Sequence, residues 1–285
     1  MQHSRFDVRE PVIHKEDILS IQEKDFKPQN VAIVTGAASG IGRATAIALA
    51  VNQLTVVGTD VNEQGAKETV KMAETLGGKV VFIPADLSKD EDIEGCVKKA
   101  AQYGNIKFLA NIAGMQHIDP IENFPMATYD LMQKVMLRAP FYLSKLCIAK
   151  MKASEGGTGV IGNMSSVHGH ITTKNKSVYN ITKFGLRGLS QSIAAEGEGK
   201  IRSFSVSVGF SKTPLTLNQI PAQAEQLGLT PEEVVTNVML GKSRVKEMMS
   251  PAEVANLFVI GFSNWLGKYL VGGDLLFDGG MVKTY

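Results

Sequence analysis

The chain has 285 residues, with 30 basic against 28 acidic side chains, 44% hydrophobic and 20% charged residues. Such a balance excludes an intrinsically disordered chain and gives no electrostatic reason to expect nucleic acid as a partner. Two cysteines cannot staple a chain this long, so a packed core must hold it, and the 28 glycines mark places where backbone turns sharply or approaches a ligand.

Residues 1–30 are densely charged and have no apolar stretch long enough for a signal peptide, while their acids argue against a mitochondrial transit peptide. They read as a polar, solvated extension, with an arm packed on a neighbouring subunit as the alternative. From residue 31 short apolar runs alternate with helical spacing. Val31–Val34 reads as a strand, followed by a glycine-rich turn and a helix over Ile41–Leu49. Leu54–Val57, Val80–Ile83, Phe108–Asn111, Val160–Met164, Phe204–Val208 and Leu275–Phe277 read as further strands. Helices are expected over Gln64–Leu76, Ala127–Met151, Tyr179–Ala195 and Pro251–Phe262, and from a capping box with Ser88 as N-cap to about Tyr103. Continuously apolar strands alternating with helices predict a single α/β domain over 31–285: a doubly wound, parallel, seven-stranded Rossmann-type sheet with helices on both faces. Residues 211–249 interrupt the alternation and are expected to form a lid over the site. The longest apolar runs fall far below the ~20 residues that span a bilayer. A cytoplasmic enzyme with two buried free thiols, Cys96 and Cys147, is the expectation.

Two clusters carry chemistry. Thr35-Gly36-Ala37-Ala38-Ser39-Gly40-Ile41-Gly42 lies between the first strand and the first helix. Its glycines allow a pyrophosphate to approach the backbone, and the helix N-terminus offers N–H groups and partial positive charge. Asp60 ends the second strand and suits the adenosine ribose hydroxyls. It would repel a 2′-phosphate, and no Arg or Lys within the turn would neutralise one, so NAD is favoured over NADP. The second cluster is Tyr179 and Lys183, four apart on one helix face, with Ser166 thirteen residues before Tyr179. An ammonium near a phenol, whose usual pKa is about 10, would draw that value down and let Tyr179 exchange protons near neutrality. Ser166 could hydrogen-bond a substrate oxygen as charge develops on it. His168 and His170 lack the further ligands that a metal needs, so no metal is expected.

Together with Ala85-Asp86-Leu87, Asn111-Ile112-Ala113-Gly114, Ser165-Ser166 and Asp278-Gly279-Gly280, these clusters resemble the short-chain dehydrogenase/reductase family over about residues 31–281. The resemblance implies Tyr179 as general acid/base, Lys183 on the nicotinamide ribose and Ser166 orienting the reacting oxygen. It implies a cofactor groove formed by Gly36, Ser39, Gly40, Ile41, Gly42, Asp60, Asp86, Leu87, Asn111, Gly114 and Thr213. It also implies a homotetramer. Within the family, Gly114–His117, Ser166–Gly169, Asn175–Tyr179 and Thr213–Leu215 with Gln219 resemble bacterial D-3-hydroxybutyrate dehydrogenases, which implies that Gln116, His168, Lys176 and Gln219 bind a substrate carboxylate.

The expected activity is NAD-dependent hydride transfer to or from a small 3-hydroxy acid, with 3-hydroxybutyrate first. Departures from the family pattern keep other readings open. Met136 stands in place of a relay Asn, Ile112 in place of a second Asn, and Val208 in place of a Pro; Phe210 and Met281 replace pocket tryptophans. The last two favour a longer hydroxy acid, a cyclic alcohol or a sugar alcohol. Met136 and Ile112 would suit an NAD-binding regulatory protein with little activity.

Overall fold

The computed structural model describes residues 10–284. Strand β1 (Asn30–Thr35) is wholly buried and enters the glycine turn, which opens α1 (Gly40–Val51). There follow β2 (Thr55–Thr59), α2 (Glu63–Thr75), β3 (Lys79–Phe82), α3 (Asp90–Ala100) and β4 (Asn105–Asn111). The second half runs α4 (Met126–Gln133), α5 (Ala139–Ala153), β5 (Gly159–Met164), α6 (Ser177–Glu196) and β6 (Ile201–Val208). Three short helices, α7 (Pro214–Leu217), α8 (Ile220–Leu227) and α9 (Pro231–Glu233), precede α10 (Pro251–Phe262), α11 (Asn264–Gly267) and β7 (Asp274–Phe277).

All seven strands are parallel, in the order β3-β2-β1-β4-β5-β6-β7. The order reverses between β1 and β4, and the cleft at their carboxyl ends is where open sheets of this kind take ligands. One apolar layer joins the sheet to α1 and α10 through Ile47, Leu49, Phe204 and Phe258. The other joins it to α3 and α5 through Ile93, Leu109, Leu143 and Ile161. Burial on both faces explains why the strand sequences read as unbroken apolar runs.

Three details differ from the sequence expectation. The α3 helix starts at Asp90 with Lys89 as N-cap and no side-chain cap. Ser88 lies instead in a turn on Asp86, whose Oδ1 accepts from both its N–H and its hydroxyl, the latter at 2.7 Å, so the helix begins one residue later. The expected helix from 127 to 151 is broken by a π-turn at Lys134–Arg138, closed by Ala139 N–H donating to the Lys134 carbonyl. Pro140 explains the widening: it has no N–H for the Met136 carbonyl, and its ring crowds that oxygen.

The third difference is the polar extension. Residues 10–29 lie along α1 and α10 rather than standing in solvent. Ile13, Ile18 and Phe26 are buried, and Phe26 meets Phe108 edge-on at 5.6 Å. Asn256 clasps the arm, accepting from Leu19 N–H and donating to the Asp17 carbonyl. Asn52 does the same at Ile21 and Leu19. The charged residues hid three apolar anchors whose spacing follows neither helical nor strand period, so no periodic signal marked the arm as packed.

Candidate active site

The glycine turn is a close approach of backbone to backbone. A Cβ on Gly42 would stand 2.0 Å from the Gly36 carbonyl oxygen, and Gly40 holds φ at +53°. Only glycine meets both demands. Arg43 N–H, donating to the Ser39 carbonyl at 3.1 Å, is the first to close a helical bond, so the N–H groups of Ile41 and Gly42 precede the ladder. Both residues line a cavity of about 580 Å³. Asp60 lines it too: its carboxylate accepts from Ala38 N–H at 3.1 Å and from Asn62 N–H at 3.0 Å, which fixes its direction at the end of β2. Asn62, rather than Asp60, caps α2.

Of the other expected cofactor positions, Gly36, Ser39, Gly40, Asp86, Leu87, Gly114 and Thr213 line the same cavity, as do Tyr179 and Lys183. Hydrogen bonds from Ser88 hold the Asp86 carboxyl below the usual carboxylate range. Asn111 is not in the cavity wall. It is buried behind it, donating to Asn163 Oδ1 at 2.8 Å, while Asn163 donates to Ser190 on α6. That chain ties β4, β5 and α6 together, so Asn111 acts on the groove through the backbone it holds. Its Oδ1 is buried without a hydrogen-bond partner.

At the other end of the cavity, α6 presents Tyr179 and Lys183 and the loop after β5 presents Ser166. Lys183 is buried, donates to the Met164 carbonyl at 2.7 Å and lies 5.2 Å from the Tyr179 ring centre. Burial draws its ammonium down to about 8. Burial also pushes the Tyr179 phenol up to about 12, against a lowering hydrogen bond from Ser166. Removal from water thus opposes the lowering of Tyr179 expected from Lys183, whose ammonium donates to the Met164 carbonyl.

Ser166 caps a short 3₁₀ turn, Val167–Gly169, by accepting from His168 N–H at 3.2 Å. The His168 ring meets Tyr179 edge-on at 5.6 Å and shares a hydrogen bond with Thr173 at 3.0 Å. Burial first, then Lys176 and Lys183, lowers its pKa to about 4, so it is neutral at physiological pH. Lys176 is the N-cap of α6 and its ammonium stands 6.0 Å from the Phe210 ring, also lowered by burial. His170 turns away from His168 and pairs with Asp274 on β7 at 2.8 Å. Gln116 is half-buried beside Met115, which lines the cavity. Gln219, the N-cap of α8, is not brought to the cluster: its side-chain amide donates to the Leu215 carbonyl of α7.

Met115, Leu131 and Val135 supply an apolar wall that was not singled out from sequence. The four-residue spacing of Leu131 and Val135 was the available signal. Met136 is fully buried in the π-turn, and its sulfur accepts from Met115 N–H at 3.4 Å. Met281 is not in the cavity wall; its N–H bonds back to Asp278 in the turn after β7.

A buried parallel sheet with a glycine-rich phosphate turn and a Ser–Tyr–Lys set at its carboxyl edge defines a nucleotide-dependent oxidoreductase. The family pattern of the short chain dehydrogenases matches residues 30–224, and the chain belongs to that family. It is 33% identical over 250 residues to the D-beta-hydroxybutyrate dehydrogenase of Rhizobium meliloti (strain 1021), covering 85% of this chain and 92% of that one. It is 35% identical over 188 residues to the cyclohexanol dehydrogenase of Acinetobacter sp. (strain SE19), covering 65% and 74%. Among solved structures, a protein assigned as an NAD(P) dependent gluconate 5-dehydrogenase from Beutenbergia cavernae, with NADP bound at low occupancy, superposes with a TM-score of 0.80. It is 24% identical and covers 91% of this chain and 100% of that one. The chain is thus an oxidoreductase of a family that uses nicotinamide cofactors.

Proposed function

We propose that the protein is an NAD-dependent dehydrogenase of a small 3-hydroxy acid, with 3-hydroxybutyrate and acetoacetate as the first pair to test. The observation that carries this reading is Lys176. A partly desolvated ammonium beside neutral His168, on the helix that presents Tyr179, is a place for a carboxylate two or three bonds from the reacting carbon. The 33% identical hydroxybutyrate dehydrogenase supports it. Among the described residues, no Arg lines the cavity beside Asp60 and Lys183 is the one lining Lys, which supports NAD over NADP.

In oxidation Tyr179, acting as the phenolate, takes the hydroxyl proton, and Ser166 donates a hydrogen bond to the same oxygen as it gains charge. Lys183, its ammonium fixed by the Met164 carbonyl, would hold the ribose. A bound nicotinamide would supply the hydride acceptor. Its phosphates fit the Ile41 and Gly42 amides. Residues 211–249 carry their own apolar cluster, with Ile220, Val234 and Met239 against Phe210, and serve as a lid above the carboxylate subsite. The same reading includes a cytoplasmic homotetramer, with exposed Phe141, Ile181 and Phe184 on α5 and α6 as the faces to be covered.

NADH formation from each enantiomer of 3-hydroxybutyrate tests the substrate. Lys176→Ala should raise KM for the acid about 10- to 100-fold, the loss of one charge-assisted bond, with NADH binding unchanged. An inactive wild type, or an unaffected variant, sinks the assignment. A second reading, a cyclic or longer alcohol, draws on the apolar wall of Met115, Leu131 and Val135 and on the cyclohexanol dehydrogenase relative. It predicts that cyclohexanol outperforms hydroxybutyrate in kcat/KM.

A further inference from the structure

The first N–H of α1, that of Gly40, donates to Glu10 Oε1 at 2.8 Å. The first turn of α1 has no acid of its own, so a carboxylate thirty residues away in sequence occupies one of its orphan donors. We propose that Glu10 is a built-in competitor for the anionic centre of the dinucleotide, so that the N-terminal arm sets cofactor affinity. This rests on the reading of the glycine turn as the pyrophosphate site.

Three observations carry it. The arm is anchored close by: Ile13, three residues on, is buried, and Asn256 and Asn52 clasp residues 17–21, so the carboxylate is held near the turn at high effective concentration. Among the described residues, the cavity wall holds two carboxylates, Asp60 and Asp86, and one cation, Lys183, whose ammonium is engaged with Met164. Arg43, on the Ala38 carbonyl of the turn, is already paired with Glu68, so the α1 N-terminus that Glu10 occupies is a main source of attraction for phosphate there. Finally, the family match begins at residue 30, so Glu10 lies outside the segment that the family pattern describes.

Calorimetric titration with NADH of wild type, Glu10→Gln and Glu10→Ala tests the proposal. Both variants should bind NADH roughly two- to tenfold more tightly, the range for removing an anion from a helix N-terminus, and the gain should shrink at high salt. In wild-type protein, saturating NADH should speed amide hydrogen exchange in the peptide spanning residues 10–14, a readout that needs no variant. Unchanged or weaker NADH binding in both variants, or slower exchange in that peptide on adding NADH, overturns it. Absence of NADH and NADPH binding in every form would instead remove the cofactor reading, and the competitor with it.

Discussion

The two ends of the cleft are built differently. The phosphate end is backbone: a turn shaped by Gly36, Gly40 and Gly42, two N–H groups at the start of α1, and Asp60 pinned by main-chain amides. The reaction end is side chains from three separated segments: Ser166 after β5, Tyr179 and Lys183 on α6, and the apolar wall of Met115, Leu131 and Val135. Backbone geometry is dictated by local residues and tolerates little change. Side chains converging from far apart can be exchanged singly, which lets one family keep its cofactor while varying its substrates.

Damage at one end should therefore spare the other. The largest expected effect is Tyr179→Phe, which should lower kcat by at least about 10²- to 10⁴-fold while NADH still binds in a calorimeter. Activity that survives would remove Tyr179 as the proton carrier. Gly42→Ala should do the reverse. Its methyl meets the Gly36 carbonyl, so NADH binding should weaken beyond about 100-fold, and activity with it, in a protein that still melts cooperatively. Equal binding would mean that the turn is not the phosphate site.

A third prediction concerns pH at the reaction end. His168 has a folded pKa of about 4 against an ordinary 6.5, so the unfolded chain binds its proton first. Its contribution is intact above about pH 6.5 and falls away as pH drops towards 4, by up to about 3 kcal/mol. Denaturant unfolding at stepped pH should show this loss, and His168→Asn should flatten it. A slope identical in the variant would mean that another group titrates. The smallest effect belongs to the phosphate end: Asp60→Asn should narrow the preference for NADH over NADPH by about tenfold, read from the two dissociation constants. An unchanged ratio would separate Asp60 from cofactor choice.

The same contrast explains what could be read in the sequence. The seven strands and the glycine turn were legible because burial on both faces leaves unbroken apolar runs and because each glycine answers a local demand. Tyr179 and Lys183 were legible from a four-residue spacing on one helix. The π-turn was not, since it arises from Pro140 acting on a carbonyl four residues back. Nor was the shift of the N-cap from Ser88 to Lys89, since Ser88 is held in a turn on Asp86. Asn111 stands in the family motif, yet its side chain faces Asn163 and Ser190, a direction fixed only by tertiary pairing. Glu10 gave no signal at all, because its meaning depends on an arm whose anchors follow no period.

One feature of the insert bears on how such an enzyme could change its trade. Ser211 and Met249 form a parallel bridge at the insert's base, reinforced by Met249 N–H to Phe210 and Lys212 N–H to Met249. The two ends of residues 211–249 thus meet at about one strand spacing, roughly 4.8 Å. Arg244 and Val245 N–H also donate to the Gly279 carbonyl, so the stretch free to grow lies before residue 243, where doubling a loop costs about 0.6 kcal/mol in closure entropy. Grafting the corresponding stretch of a relative between Thr216 and Ser243, which keeps the cavity-lining Thr213 to Thr216, is a direct way to ask whether the insert sets this scaffold's appetite.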